Sequence, residues 1–231
     1  KAQVRGHRVS PKYTDLAIAS KPLTEEQQSA FDHLVHAGDL ACLVGLAGTG
    51  KSYLLGAARP AWESAGYRVQ GMTLSGIAAD NLSGSSGIES HTVASRLWQW
   101  EHDRERLGKN DIVVVDEAGM LGSRQMAGIM AEAHRARAKV VLVGDPEQLQ
   151  AIEAGAAFRA IAERVGFVEM TAIRRQQAAW QQQATRDFAR ERTSEALYTY
   201  EQHDHVHRFN TQDAAMTDMV DQWAAVRRDA P

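Results

Sequence analysis

The stretch LACLVGLAGTGKSYLLGAA, Leu40–Ala58, decides the fold. Its opening, LACLVGL, is an apolar run of the length of a buried strand. Its close, from Gly50 onward, reads as a helix. Between them GLAGTGKS, Gly45–Ser52, follows the pattern G-x-x-x-x-G-K-[ST], with the strand before it and the helix after it that the pattern requires. Gly45, Gly48 and Gly50 let backbone N–H groups turn inward around phosphate oxygens, and Thr49 and Tyr53 complete the candidate nucleotide contacts. The new helix aims its positive end at the same charge. Lys51 would reach the β- and γ-phosphates, and Ser52 would ligate Mg²⁺. The plainer reading is a glycine turn with a helix-capping serine; the flanking strand and helix favour the nucleotide.

Outward from this loop, DIVVVDE (Asp111–Glu117) and AKVVLVGD (Ala138–Asp145) repeat the apolar strand, each with carboxylate at its C-terminal end. YRVQGMTL and FVEM read as further strands, and amphipathic stretches stand between them. Alternating strands and helices with near-continuously apolar strands predict an α/β fold, a mostly parallel sheet with helices on both faces. Ligands in such folds bind beyond the carboxyl ends of the strands. The runs ending at Gly45, Glu117 and Asp145 therefore aim their polar ends at one rim. PLTEEQQSAFDHLV opens a helix, with Thr24 as N-cap and Gln27 three residues later, as in a capping box.

Asp116 in this setting would hold Mg²⁺ through its water shell, and Glu117 would take a proton from the attacking water. Without the phosphate loop the same pair reads as the cap and first-turn acid of a following helix. VVLVGDPEQLQAI, Val140–Ile152, adds Gln148 from another strand end on the rim. Glutamine cannot act as a base at neutral pH, but it can hold a water or a phosphate oxygen. Gln148 is thus a candidate sensor of the terminal phosphate.

The totals narrow the classes. With 231 residues the chain is long for one compact domain and short for two. A net charge of −3 excludes a polycation, so any nucleic-acid contact must come from a local patch. One cysteine, Cys42, excludes an internal disulfide framework and fits a reducing, bacterial cytoplasmic setting. No apolar run approaches the roughly 18–20 residues that span a bilayer. Lys1 is not a natural start, and the chain reads as a piece of something longer.

The ordered motifs resemble the RecD-like branch of superfamily 1 DNA helicases, and within it the helicase portion of TraA-type conjugative relaxases. The likeness runs from about Leu23 to Gln176. It implies a RecA-like P-loop motor domain using ATP and Mg²⁺ to move 5′-to-3′ along single-stranded DNA. By this resemblance LTEEQ makes Gln27 the adenine reader. TLSGIAA, with Thr73 and Ser75, and SHTVASRL, with His91 and Thr92, become single-strand contacts. MTAIRRQ places an arginine finger at Arg175, beside Arg174. The family's later motor motifs and the nickase domain have no counterpart here. Conjugation proteins of the relaxosome or coupling type would be partners of the parent chain.

The organisation expected is a linker or arm over 1–20, a first motor domain over 21–168, and over 169–231 either the start of a second motor domain or a helical extension. The basic arm, His7 included, could touch DNA phosphates, and Trp98 and Trp100 could stack on bases. Their spacing by two puts them on different helix faces, so at most one is core. His203, Asp204, His205 and His207 could bind metal, although alternating histidines are more often solvated surface. Two rival readings stand beside the motor: a module that grips single-stranded DNA or a partner without turnover, and a P-loop kinase or non-helicase ATPase, which GDPEQL with LTEEQ disfavours because a kinase needs neither.

Overall fold

The computed structural model describes residues 7–145, 157–174 and 176–228. The chain forms two compact units, Lys1–Gln176 and Gln177–Pro231.

Among the described residues the first unit is built on a six-stranded, all-parallel sheet. In chain order its strands are β1 (Leu40–Gly45), β2 (Arg68–Thr73), β3 (Ser90–Thr92), β4 (Asp111–Val115), β5 (Lys139–Gly144) and β6 (Val168–Met170); in space they run β3-β2-β4-β5-β1-β6. Alternate side chains of each strand point to opposite faces. Leu43, Ile112, Val114, Val141 and Val143 enter one core. Cys42, Val44, Val113, Val115, Val140 and Leu142 enter the other. Both faces are dry, which is why these strands are apolar without a period of two.

The first core is covered by α1 (Pro11–Ser20), α2 (Glu25–His36), α3 (Lys51–Ser64) and α4 (Gly76–Ser86). The second is covered by α5 (Val93–Glu101), α6 (Ser123–Ala136) and α7 (Ala157–Val165). Register is locked at the start of β2 and β4, where Arg68 and Asp111 face each other. Arg68 donates from Nε to Oδ1 at 2.8 Å and from Nη2 to Oδ2 at 2.7 Å. Such a bidentate pair fixes geometry as well as adding energy.

Two features depart from expectation. Residues 1–20 were expected as an arm, but α1 occupies half of that stretch, and Val9 and Ala17 are buried in the first core. His7, a candidate phosphate contact, is buried as well. It lies between Asp39 Oδ1 at 3.0 Å and the Lys109 carbonyl at 2.9 Å, which takes it off the surface. The first unit also continues past residue 168, because β6 pairs with β1.

Lys139, at the start of β5, is fully buried. Its ammonium donates to the carbonyls of Leu34 and Ala37, both at 2.8 Å, and so satisfies the C-terminal end of α2. Cys42 is buried too, and burial pushes its thiol up to about 11.

The second unit is helical: α8 (Ala179–Ala189), α9 (Thr193–Gln202) and α10 (Gln212–Arg228). The Arg192 guanidinium pairs with Asp187 at the turn between α8 and α9. The Trp180 ring stacks on His203 at 4.0 Å between centroids and on His205 at 5.4 Å, with Tyr200 edge-on. These two histidines, weighed as metal ligands, serve as ring partners. Among the described residues no group of three or more His, Cys, Asp or Glu is placed to hold a metal.

Candidate nucleotide site

β4, β5 and β1 are neighbours, so the polar ends of three parallel strands meet at one rim. There they enclose a cleft of about 480 Å³, lined by Gly48, Gly50, Lys51, Ser52 and Tyr53 from the phosphate loop, Asp116 and Glu117 from the end of β4, Gly144 and Asp145 from the end of β5, and Arg174.

The loop's conformation depends on glycine. Gly48 and Gly50 have φ of 80° and 91°, in the left-handed region where other residues are strained. Gly50 also leaves space for Gln27, since a Cβ there would come within 3.1 Å of Gln27 Nε2. Gln27 is buried and forms a capping box with Thr24, which fixes its side chain against the loop. Thr49 is fully buried, and its hydroxyl donates to the Leu46 carbonyl at 2.9 Å. Its side chain braces the loop from beneath, so only its backbone N–H can serve a phosphate. The Lys51 ammonium donates to the carbonyls of Gly45 at 2.7 Å and Leu46 at 2.9 Å. Tyr53 donates to the Pro22 carbonyl at 3.1 Å, with Lys21 Nζ lying 4.2 Å from its ring centroid.

The two carboxylates are held differently. Asp116 donates its backbone N–H to the Met72 carbonyl at 2.9 Å, and its Oδ1 accepts from Glu117 N–H at 2.9 Å. Burial raises the Asp116 carboxyl above its usual range, while the Glu117 N–H and the nearby Lys51 charge pull it down. Glu117 adopts a left-handed φ of 56°, uncommon for a side chain of its size and found preferentially where function holds a strained residue. Burial raises its carboxyl too, the Asp116 charge raises it further, and Lys51 opposes both. A lysine, an aspartate and a glutamate thus act electrostatically on one another across one cleft.

The other expected site residues are placed differently from one another. Gln148 and Arg175 lie outside the described residues. Ser75 and Thr92, expected as single-strand contacts, are the N-caps of α4 and α5, accepting from Ala78 N–H at 3.1 Å and Ser95 N–H at 3.2 Å. His91 is partly exposed and lies 3.3 Å from Glu89. Thr73 must be corrected. Its side chain is fully buried and donates to the Ser75 carbonyl at 2.9 Å, bracing the turn into α4, so it has no surface to offer DNA. Trp100 is core and Trp98 is half-exposed. Arg174, the neighbour of the expected Arg175, is the arginine that lines the cleft among the described residues.

A family model described as an AAA domain matches residues 22–211. The chain belongs to that family. It is 47% identical over 196 residues to the conjugal transfer protein TraA of Rhizobium radiobacter, an alignment covering 84% of this chain and 18% of that protein. It is 35% identical over 165 residues to the ATP-dependent RecD2 DNA helicase of Deinococcus radiodurans, covering 69% of this chain and 23% of that one. The chain therefore spans less than a fifth of the TraA relatives it matches. A solved structure of Pif1 helicases at forked double-stranded DNA superimposes with a TM-score of 0.57 at 20% identity, over 78% of this chain and 51% of that one. That likeness concerns the fold, a RecA-like P-loop domain. The AAA-domain chain is thus a helicase-like P-loop domain, related to TraA proteins and more distantly to RecD helicases. No helix among its described residues is long and apolar enough to cross a membrane.

Proposed function

We propose that this chain is the ATP-binding and ATP-hydrolysing motor domain of a 5′-to-3′ DNA helicase that acts in conjugative plasmid transfer. The observation that carries the reading is the convergence of Lys51, Ser52, Asp116 and Glu117 on one cleft at the carboxyl ends of parallel strands. In phosphoryl transfer of this kind the protein positions groups and stabilises charge. The loop's N–H groups and Lys51 take the phosphates, for which Lys51 leaves the Gly45 and Leu46 carbonyls. Glu117, whose carboxyl burial and the Asp116 charge raise above its usual range, accepts the proton of the attacking water. Lys51, with arginine help from Arg175, offsets the charge that builds on the transferred phosphoryl group.

The donor set fits Mg²⁺, because the hydroxyl of Ser52 and the carboxylate of Asp116 are the hard oxygen ligands that this ion shares with nucleotide phosphates. Bound there, the ion would neutralise phosphate charge. Gln148 would report on the terminal phosphate. Single-stranded DNA would run over the rim at Ser75, His91 and Thr92, and conjugation proteins would engage the longer chain, in the bacterial cytoplasm. The second unit, from Gln177 onward, would begin the second motor domain.

Calorimetric titration with Mg-ATP tests the core of this reading. The wild-type chain should bind and Lys51→Ala should not; equal affinity in the two would remove the phosphate-loop assignment. Turnover should be weak and little stimulated by single-stranded DNA, because half of a two-domain motor cannot close around its nucleotide. Strong stimulation would show that the motor is complete within this chain.

A further inference from the structure

Between β6 and the second unit, residues 171–174 form a strap without regular structure, and such backbone needs partners for its N–H groups. Glu26, in the first turn of α2, supplies them. Its Oε1 accepts from Thr171 N–H at 2.6 Å and from the Thr171 hydroxyl at 2.9 Å, and both its oxygens accept from Ala172 N–H at 3.3 Å. Ile173 is buried. At the far end, Arg174 N–H donates to the Gly48 carbonyl within the phosphate loop at 2.8 Å. The strap is thereby fastened to α2 at one end and to the phosphate loop at the other.

The side chain of Arg174 is exposed to the cleft it lines. One Nη2 donates to Thr24 Oγ1 at 2.8 Å. Its Cδ lies 3.7 Å from where a Cβ on Gly50 would stand. A guanidinium carries five N–H donors in a planar fork suited to phosphate, whereas a threonine hydroxyl is a single neutral acceptor. A phosphate oxygen entering the cleft is the stronger partner, because it brings an opposite charge and can accept two N–H bonds from the fork, where the threonine oxygen brings no charge and takes one. Burial raises the Glu26 carboxyl, but the hydrogen bonds from Thr171 and Ala172, with the Arg174 charge, bring it below its usual range, so the fastening stays ionised at neutral pH.

We propose that Glu26 is a positioning residue of the nucleotide cleft: by pinning Thr171 and Ala172 to α2 it holds Arg174 where the guanidinium can pass from Thr24 Oγ1 to a nucleotide phosphate. This rests on the nucleotide reading above. It adds a phosphate contact at Arg174 and gives the first turn of α2 a second task beside placing Gln27.

The test is a titration of Mg-ATP into the 231-residue chain, as wild type, Glu26→Ala, Glu26→Gln, Arg174→Ala and the Glu26→Ala/Arg174→Ala pair, with thermal melting to confirm folding. Glu26→Ala and Arg174→Ala should each weaken binding on the order of tenfold. The pair should be no weaker than Arg174→Ala alone, since residues acting through one contact are not additive. Glu26→Gln keeps one oxygen for Thr171 N–H and should recover most of the affinity. If Glu26→Ala does not fold, Thr171→Ala removes one of the same hydrogen bonds and should give a smaller loss that likewise vanishes on the Arg174→Ala background. Wild-type affinity in Glu26→Ala, or in Thr171→Ala where that variant stands in, overturns the proposal, as does a multiplicative loss in the pair. Failure of the wild-type chain to bind Mg-ATP at all would instead sink the nucleotide reading on which the proposal stands.

Discussion

Gly119 approaches the end of β5 so closely that a Cβ on it would stand 2.5 Å from the carbonyl oxygen of Asp145. The loop that carries Asp116 and Glu117 is thereby pressed onto the neighbouring strand end, and the distance between the acids and the phosphate loop depends on an absent methyl group.

Gly119→Ala should therefore act on the site through geometry. The contact is with backbone, which cannot swing aside, so the loop must move. Overpacking of this kind costs about 1–3 kcal/mol. The expected result is a lowered melting temperature together with a fall in nucleotide turnover larger than the fall in Mg-ATP affinity. Turnover at the wild-type rate would show that the acid loop has slack.

Glu117→Gln should separate binding from chemistry. An amide cannot take the proton, so turnover should drop by 10²-fold or more while Mg-ATP still binds. Stability should change in the opposite sense. A carboxyl raised by burial and by Asp116 costs the fold nothing below its unfolded pKa, and it imposes its full cost above its folded one. At neutral pH the neutral isostere should thus stabilise, modestly because solvent screens a partly exposed group. Measured by chemical denaturation, a destabilised Glu117→Gln would contradict this electrostatic account.

Lys139 predicts an alkaline trend. Burial lowers its ammonium from 10.5 to about 8, although the Asp39 charge works the other way. Between those values the unfolded chain binds the proton that the folded chain has released, so this group makes stability rise with pH from about 8 toward 10.5. The whole rise is roughly 3 kcal/mol. Neutral Lys139 still has two N–H donors for the Leu34 and Ala37 carbonyls. Urea unfolding between pH 7.5 and 10 should show the rise in wild type and lack it in Lys139→Met. Parallel profiles would mean that Lys139 stays charged in the fold.

Much of this was legible in the sequence because it is written locally. β1, β4 and β5 are buried on both faces, so each is an unbroken apolar run, and the phosphate loop declares itself by glycine spacing. β3 was missed because Ser90–Thr92 is short, polar and at the sheet edge, where no apolar pattern is needed. α1 was read as an arm because it buries little beyond Ala17; Ser10 followed by Pro11 was the available signal of a helix start. Thr73 shared a polar segment with Ser75, and nothing in the order of residues says which hydroxyl turns inward. Glu26 looks like an ordinary first-turn acid, and its partners stand 145 and 146 positions away. Pairings of that kind are made by the fold alone.

The sealed position of Cys42 has a practical consequence. Attack on maleimides and similar reagents requires access and thiolate, and a fully enclosed sulfur held near 11 supplies neither at neutral pH. With no other cysteine in the sequence, a single thiol introduced at an exposed serine would take a fluorophore selectively in the native protein, leaving the chemistry of the cleft untouched.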